Sequence, residues 1–221
     1  MGRMMQLFTA VLEGSVAFFA TNIDDLFILM MFFAQVNGSL KKRQIVVGQY
    51  LGFAALLIIS GLGFCGTLVV PQEWIGLLGL VPMAMGVRKL IRRRETIPQT
   101  EKVASRIYRV PNATTTSVFS SLFSPQTYGV ATVTFANGGD NIGIYVPLFA
   151  SGSLGRMGVI MGVFLVLIGV WCHVGFKLVQ QPIIAQVLAR YGHIVMPLVL
   201  IGLGIYILVE NDTWRLFTQC H

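Results

Sequence analysis

Hydrophobic residues fill this chain in long unbroken blocks, without the strict alternation of half-buried strands or the single apolar stripe of soluble helices. Residues 45–70, 157–176 and 191–209 carry no Asp, Glu, Lys or Arg. Each block is long enough to cross a hydrocarbon core of about 30 Å. Extending the pattern along the chain predicts six membrane spans, at 5–36, 44–70, 73–90, 119–150, 157–177 and 187–209. The third is the weakest, charge-free only over 74–87 and containing Pro82. The first and fourth are longer than a simple crossing needs. Both carry polar residues at mid-length, "TNIDD" at 21–25 and "NGGDN" at 137–141.

Those two polar stretches are related. "FATNIDDLFILMMFFA" (19–34) aligns with "FANGGDNIGIYVPLFA" (135–150), pairing Phe19 with Phe135, Asp24 with Asp140, Asp25 with Asn141 and Ala34 with Ala150. After a two-residue slip, "NGSL" (37–40) echoes "SGSL" (151–154), Gly48 pairs with Gly162 and Leu51 with Leu165. The chain therefore reads as two three-span units. An odd number of spans inserts the second unit upside down, the inverted-repeat plan of many secondary transporters. The expected fold is an all-α polytopic membrane protein: six transmembrane helices in two inverted three-helix repeats, with helices 1 and 4 interrupted at the midplane. The expected divisions are 1–90 for the first repeat, 91–118 for a basic cytoplasmic loop and 119–221 for the second repeat.

Composition agrees with the class and adds orientation. Of 221 residues, 55% are hydrophobic and 11% charged, against about 25% charged in soluble domains. The first apolar stretch, which contains Glu13, reads as a retained span and not as a cleaved signal. Basic residues cluster between alternate spans: Lys41, Lys42 and Arg43, then the run from Arg88 to Arg109, then Lys177 and Arg190. Of 16 Lys and Arg, Arg3, Arg156 and Arg215 fall on the other side. The positive-inside rule then places both termini outside the cell. Net charge +7 thus reports orientation, and nucleic-acid binding is not expected. Cys65, Cys172 and Cys220 are widely spaced and form no CxxC, so no disulfide framework is indicated.

The candidate chemistry lies in the two motifs. A charge at the bilayer centre costs about 2.5–3.5 kcal/mol on insertion scales, so an acid there is a functional hypothesis. A two-fold axis in the membrane plane would bring Asp24 and Asp140 together. Asp24, Asp25 and Asp140, with the amides of Asn22, Asn137 and Asn141, form an oxygen ligand set suited to a hard cation. The alternative for the asparagines is capping of broken helix ends. Gly138 and Gly139 suit a helix break, because glycine tolerates unusual backbone angles. No Lys or Arg lies well inside a span to neutralise the acids, so a proton, metal or organic cation is needed. Asp25 is the candidate proton-coupling residue, since its repeat partner Asn141 cannot titrate. Glu13, three helical turns from Asp24, is either an outward stepping stone for protons or a residue at the interface. Cys172 and His173 are secondary candidates, with a packed thiol and a hydrogen-bonded imidazole as the alternative reading. Cys220 and His221 read as exposed terminal residues.

The pair "ATNIDDLFIL" and "TFANGGDNIGIYVPLF" resembles the cadmium-resistance transporter family, within the lysine-exporter superfamily. The resemblance covers nearly the whole chain, including the three-plus-three layout and the basic central loop. It implies secondary active efflux of a toxic divalent cation, cadmium by name, through a bacterial plasma membrane. No GxxxxGK[ST] motif is present, so a gradient must drive export, with proton antiport as the natural mechanism. The expected partners are the metal substrate, protons and lipid. The substrate is cargo, and no cofactor is expected; a homo-oligomer is left open. Cadmium prefers softer ligands than carboxylates and amides, and the related manganese-efflux family shares the paired acids. Export of a cationic amino acid is the alternative in the same superfamily. An intramembrane aspartyl protease also uses two Asp, but its GxGD motif is absent, because Asn137 stands at the first glycine. Catalysis is not expected.

Overall fold

The computed structural model describes residues 2–36, 40–67, 77–91, 124–181 and 197–211. The central basic loop, the two terminal residues Cys220 and His221, and parts of the third and sixth spans lie outside them. The described residues form α1 (Gly2–Phe33), α2 (Lys42–Thr67), α3 (Leu80–Ile91), α4 (Pro125–Asn137), a 3-10 turn (Gly138–Asn141), α5 (Ile142–Ala150), α6 (Leu154–Leu178) and α7 (Pro197–Glu210). α1, α2 and α6 are long and apolar enough to cross a membrane, and α7 is a shorter apolar helix.

The fourth span is divided where its sequence places two glycines. α4 starts at Ser124, whose Oγ accepts the Thr127 backbone N–H at 3.2 Å, with Pro125 in the first turn. It gives way to the 3-10 turn at Gly138. The first span is different: α1 runs unbroken through Thr21–Asp25, which corrects the expected interruption. No glycine or proline occurs between Ser15 and Phe33. The polar side chains there bond back to their own helix, Thr21 Oγ1 to the Ala17 carbonyl (2.9 Å) and Asn22 Nδ2 to the Phe18 carbonyl (2.9 Å). These bonds satisfy the side chains without unwinding the backbone.

α1 packs mainly on α6, and α2 mainly on α4 and α5. Small residues let the helices approach. Gly48 and Gly52, one turn apart on α2, lie against α4: a Cβ at Gly48 would stand 2.6 Å from Val130 Cβ, and one at Gly52 2.5 Å from the Ala131 carbonyl oxygen. Gly175 of α6 lies against Leu29, and Gly204 of α7 against the Gly79 carbonyl and Met83. A block of aromatic rings joins four elements. Phe18 (α1) stands 5.8 Å from both Phe53 (α2) and Phe164 (α6), and Tyr145 (α5) 4.8 Å from Phe164. All four side chains are fully buried.

Candidate functional site

The two polar motifs meet where α1 crosses the 3-10 turn. Asn137, the last residue of α4, donates from Nδ2 to Asp25 Oδ1. Asp25 is buried, Asp24 half-buried and Asp140 exposed. The contact between the motifs is thus made by Asp25, the second acid of its pair. Adjacent residues on a helix point about 100° apart, so Asp24 and Asp25 leave α1 in different directions.

Asn22 lies three residues before Asp25 on the same side of α1 and is fully buried. Its Nδ2 donates to the Phe18 carbonyl (2.9 Å), Thr21 Oγ1 (2.8 Å) and the Tyr145 hydroxyl (3.1 Å). Three oxygens around one atom require the NH2 group there, which turns Oδ1 the other way. Oδ1 is buried and has no hydrogen-bond partner among the described residues. Such an oxygen costs about 1–3 kcal/mol, a cost that a cation or water removes. The Thr21 hydroxyl hydrogen is committed to the Ala17 carbonyl, so Tyr145 donates to Thr21 Oγ1 across 3.0 Å. Trp171 completes the wall by donating Nε1 to the Asn22 carbonyl at 2.7 Å.

Of the two glycines of the turn, Gly138 acts by size. Gly138 has φ −85° and ψ 6°, angles open to other residues, and neither it nor Gly139 has a positive φ. A Cβ at Gly138 would meet Leu56 Cδ1 at 2.4 Å, whereas one at Gly139 has nothing within 4 Å. The expectation that both supply unusual backbone angles is corrected accordingly: Gly138 allows α2 to approach the turn. Asn141 is buried in the same turn, with Nδ2 3.4 Å from the position of a Gly138 Cβ.

The remaining candidates are Cys172, His173 and Glu13. Cys172 is buried on α6 and His173 is exposed. Among the described residues no three His, Cys, Asp or Glu side chains gather into a metal-holding group. Glu13 is ion-paired with Arg156 at the start of α6, so this acid does have a basic partner.

Sequence reasoning missed Thr21, Tyr145 and Trp171. It also missed a polar seam between α2 and α4, where Gln44 Nε2 donates to Ser124 Oγ (3.1 Å) and Thr134 Oγ1 to Gln49 Oε1 (2.7 Å). The spacing of Ser124, Thr127 and Thr134 along one face of α4 was a usable signal.

Over residues 18–219 the sequence matches the family model described as cadmium resistance transporter. The chain belongs to the cadmium resistance transporter family. No curated protein and no solved structure matches it. The match starts at Phe18 and includes both polar motifs. Family membership together with the apolar helices makes this a membrane transporter with a metal-ion substrate. In this transporter, the junction of α1 with the 3-10 turn brings acidic and amide side chains of both motifs together.

Proposed function

We propose that the transporter exports a toxic divalent cation, cadmium foremost, in exchange for protons, through a site at the junction of the two motifs. Asp24, Asp25 and Asp140 supply charge, and Asn22, Asn137 and Asn141 supply neutral donors. The observation that carries this reading is the contact between Asn137 and Asp25, with the buried Asn22 Oδ1 one turn away. Carboxylate and amide oxygens from two opposed motifs can then converge on one ion. The exposure of Asp140 supports a water-filled approach, since a carboxylate at this depth avoids lipid.

The inverted repeat belongs to the same proposal. A two-fold axis exchanging spans 1 and 4, 2 and 5, and 3 and 6 would exchange the α1–α6 pairing with the α2–α4 pairing. These are the dominant contacts of α1 and α2. Such an axis would map the α3–α7 contact at Gly204 onto the same pair of spans, and likewise the bond from the Tyr50 hydroxyl to the Leu165 carbonyl (3.1 Å). In the proposed orientation both termini lie outside a bacterial plasma membrane.

Proton exchange follows from charge. Close carboxylates in a medium of low dielectric resist full ionisation, so the emptied site takes up a proton. A divalent cation competes with that proton, because its ligands bind deprotonated. Cadmium affinity of the purified protein is therefore expected to fall as pH falls from 8 to 6, by up to about tenfold per pH unit for each proton released. Isothermal titration in buffers of different ionisation enthalpy measures both affinity and protons released. Affinity independent of pH, with no proton release, would rule out the exchange. Uptake of radioactive cadmium into inside-out vesicles tests the transport reading itself. Accumulation should require the pH gradient and disappear when an ionophore collapses it.

A further inference from the structure

We propose that Arg156 is the latch of a gate, holding closed the end of the transport pathway on the Glu13 side of the polar junction. This inference rests on the chain being a transporter and does not depend on the identity of the cargo.

Arg156 ties together four elements at that end. Its Nε donates to Glu13 at 3.1 Å, and Nη2 donates to Glu13, to Glu210 (3.0 Å) and to the Tyr206 hydroxyl (3.3 Å). Nη1 donates to Glu210 and to the Ser151 carbonyl (3.2 Å). Tyr206 donates in turn to the second oxygen of Glu13. Glu13 is on α1, Ser151 follows α5, Arg156 opens α6, and Tyr206 and Glu210 lie one turn apart on α7. The pairs are largely shielded, with Arg156 and Glu13 side chains 17% and 11% exposed. Forked guanidinium–carboxylate contacts of this kind fix geometry as well as charge.

The latch stands outside a second barrier. Glu13 precedes Asp24 by 11 residues, about 16 Å along α1. Between them α1 presents Ala17 and Phe18, both fully buried. Phe18 is enclosed by Phe53, Phe164 and Trp171, with ring centroids at 5.8, 5.8 and 5.3 Å. Passage between the junction and this end requires α1, α6 and α7 to part, which breaks the Arg156 contacts. The repeat register that pairs Gly48 with Gly162 pairs Lys42 with Arg156. Among the described residues Lys42 lies over the Phe176 ring, with Nζ 4.0 Å from the centroid, a different kind of contact from the ion pairs of Arg156.

A cysteine at Ala17, one turn inside the latch, reports opening. The test uses the full-length protein in vesicles without metal, with Cys65, Cys172 and Cys220 replaced by alanine and Ala17→Cys added. The probe is a charged, membrane-impermeant methanethiosulfonate applied from either face. With Arg156 present, labelling should be slow. Arg156→Gln leaves Glu13 and Glu210 to repel each other and should speed labelling at least tenfold. Arg156→Lys, which keeps the charge and loses the fork, should fall between. Fast labelling with the latch intact overturns the proposal, as does a folded Arg156→Gln protein labelled within twofold of the Ala17→Cys protein that keeps Arg156. Should Arg156→Gln fail to assemble, Glu210→Gln and Tyr206→Phe carry the test, each with an expected rise of at least threefold. Unchanged labelling in both overturns the gate. So does loss of folding in all three variants, because the network is then a structural staple. Cadmium transport is not read in this experiment, so its failure is distinct from failure of the proposed exchange.

Discussion

Asp25→Asn is expected to abolish cadmium efflux while leaving the protein folded. The substituted amide keeps an oxygen that can accept from Asn137 Nδ2, so the contact between the motifs survives. The negative charge does not. Removing one partner of a buried charge interaction costs about 2–5 kcal/mol, a roughly 30- to 4,000-fold loss of affinity for the cation. Asp24→Asn and Asp140→Asn should also lose efflux, because each withdraws charge that balances the cargo. Asp25 is singled out by its burial, which makes its charge the least screened. Cadmium uptake into inside-out vesicles, beside a melting curve in detergent, reads function and fold separately. Wild-type uptake by a well-folded Asp25→Asn protein would remove Asp25 from the site and from proton coupling.

Gly52→Val should disrupt the helix pair that carries the broken fourth span. The first added carbon meets the Ala131 carbonyl oxygen at 2.5 Å and Thr134 Cβ at 2.8 Å. The carbonyl is backbone and cannot rotate aside, so α2 and α4 must separate. Overpacking of this kind costs about 1–3 kcal/mol, a fall in melting temperature of roughly 2–12 °C for a protein of this size. Separation also stretches the bond between Thr134 and Gln49 and shifts the 3-10 turn that follows Asn137, so efflux should decline with stability. Gly162→Ala is the control. The proposed repeat pairs it with Gly48, yet a Cβ there has nothing within 4 Å. Alanine also favours a helix over glycine by up to about 1 kcal/mol. Differential scanning fluorimetry compares them, and equal melting of Gly52→Val and the wild type would refute the close-packed seam.

Much of this protein was legible in its sequence, because the bilayer imposes length and polarity on any helix that crosses it. The charge-free blocks gave the membrane class and located α2, α6 and α7. The glycine pair at 138 and 139 marked the place where the fourth span changes from α-helix to a 3-10 turn. The two aligned polar motifs contain Asp25 and Asn137, whose side chains meet. Tertiary structure decided the rest. It kept α1 continuous, because Thr21 and Asn22 bond to carbonyls of the preceding turn. It chose Asp25 over Asp24 to meet Asn137, a matter of how α1 is rotated about its axis. Two adjacent identical residues carry no sequence signal for that rotation. It gave Glu13 a partner 143 residues away in Arg156 and placed Tyr145 against Thr21 and Asn22. Spacing along one helix predicts which side chains share a face. Which face meets which neighbour is settled by the packing of several helices at once, through contacts such as Gly52 on Ala131 that no local pattern encodes.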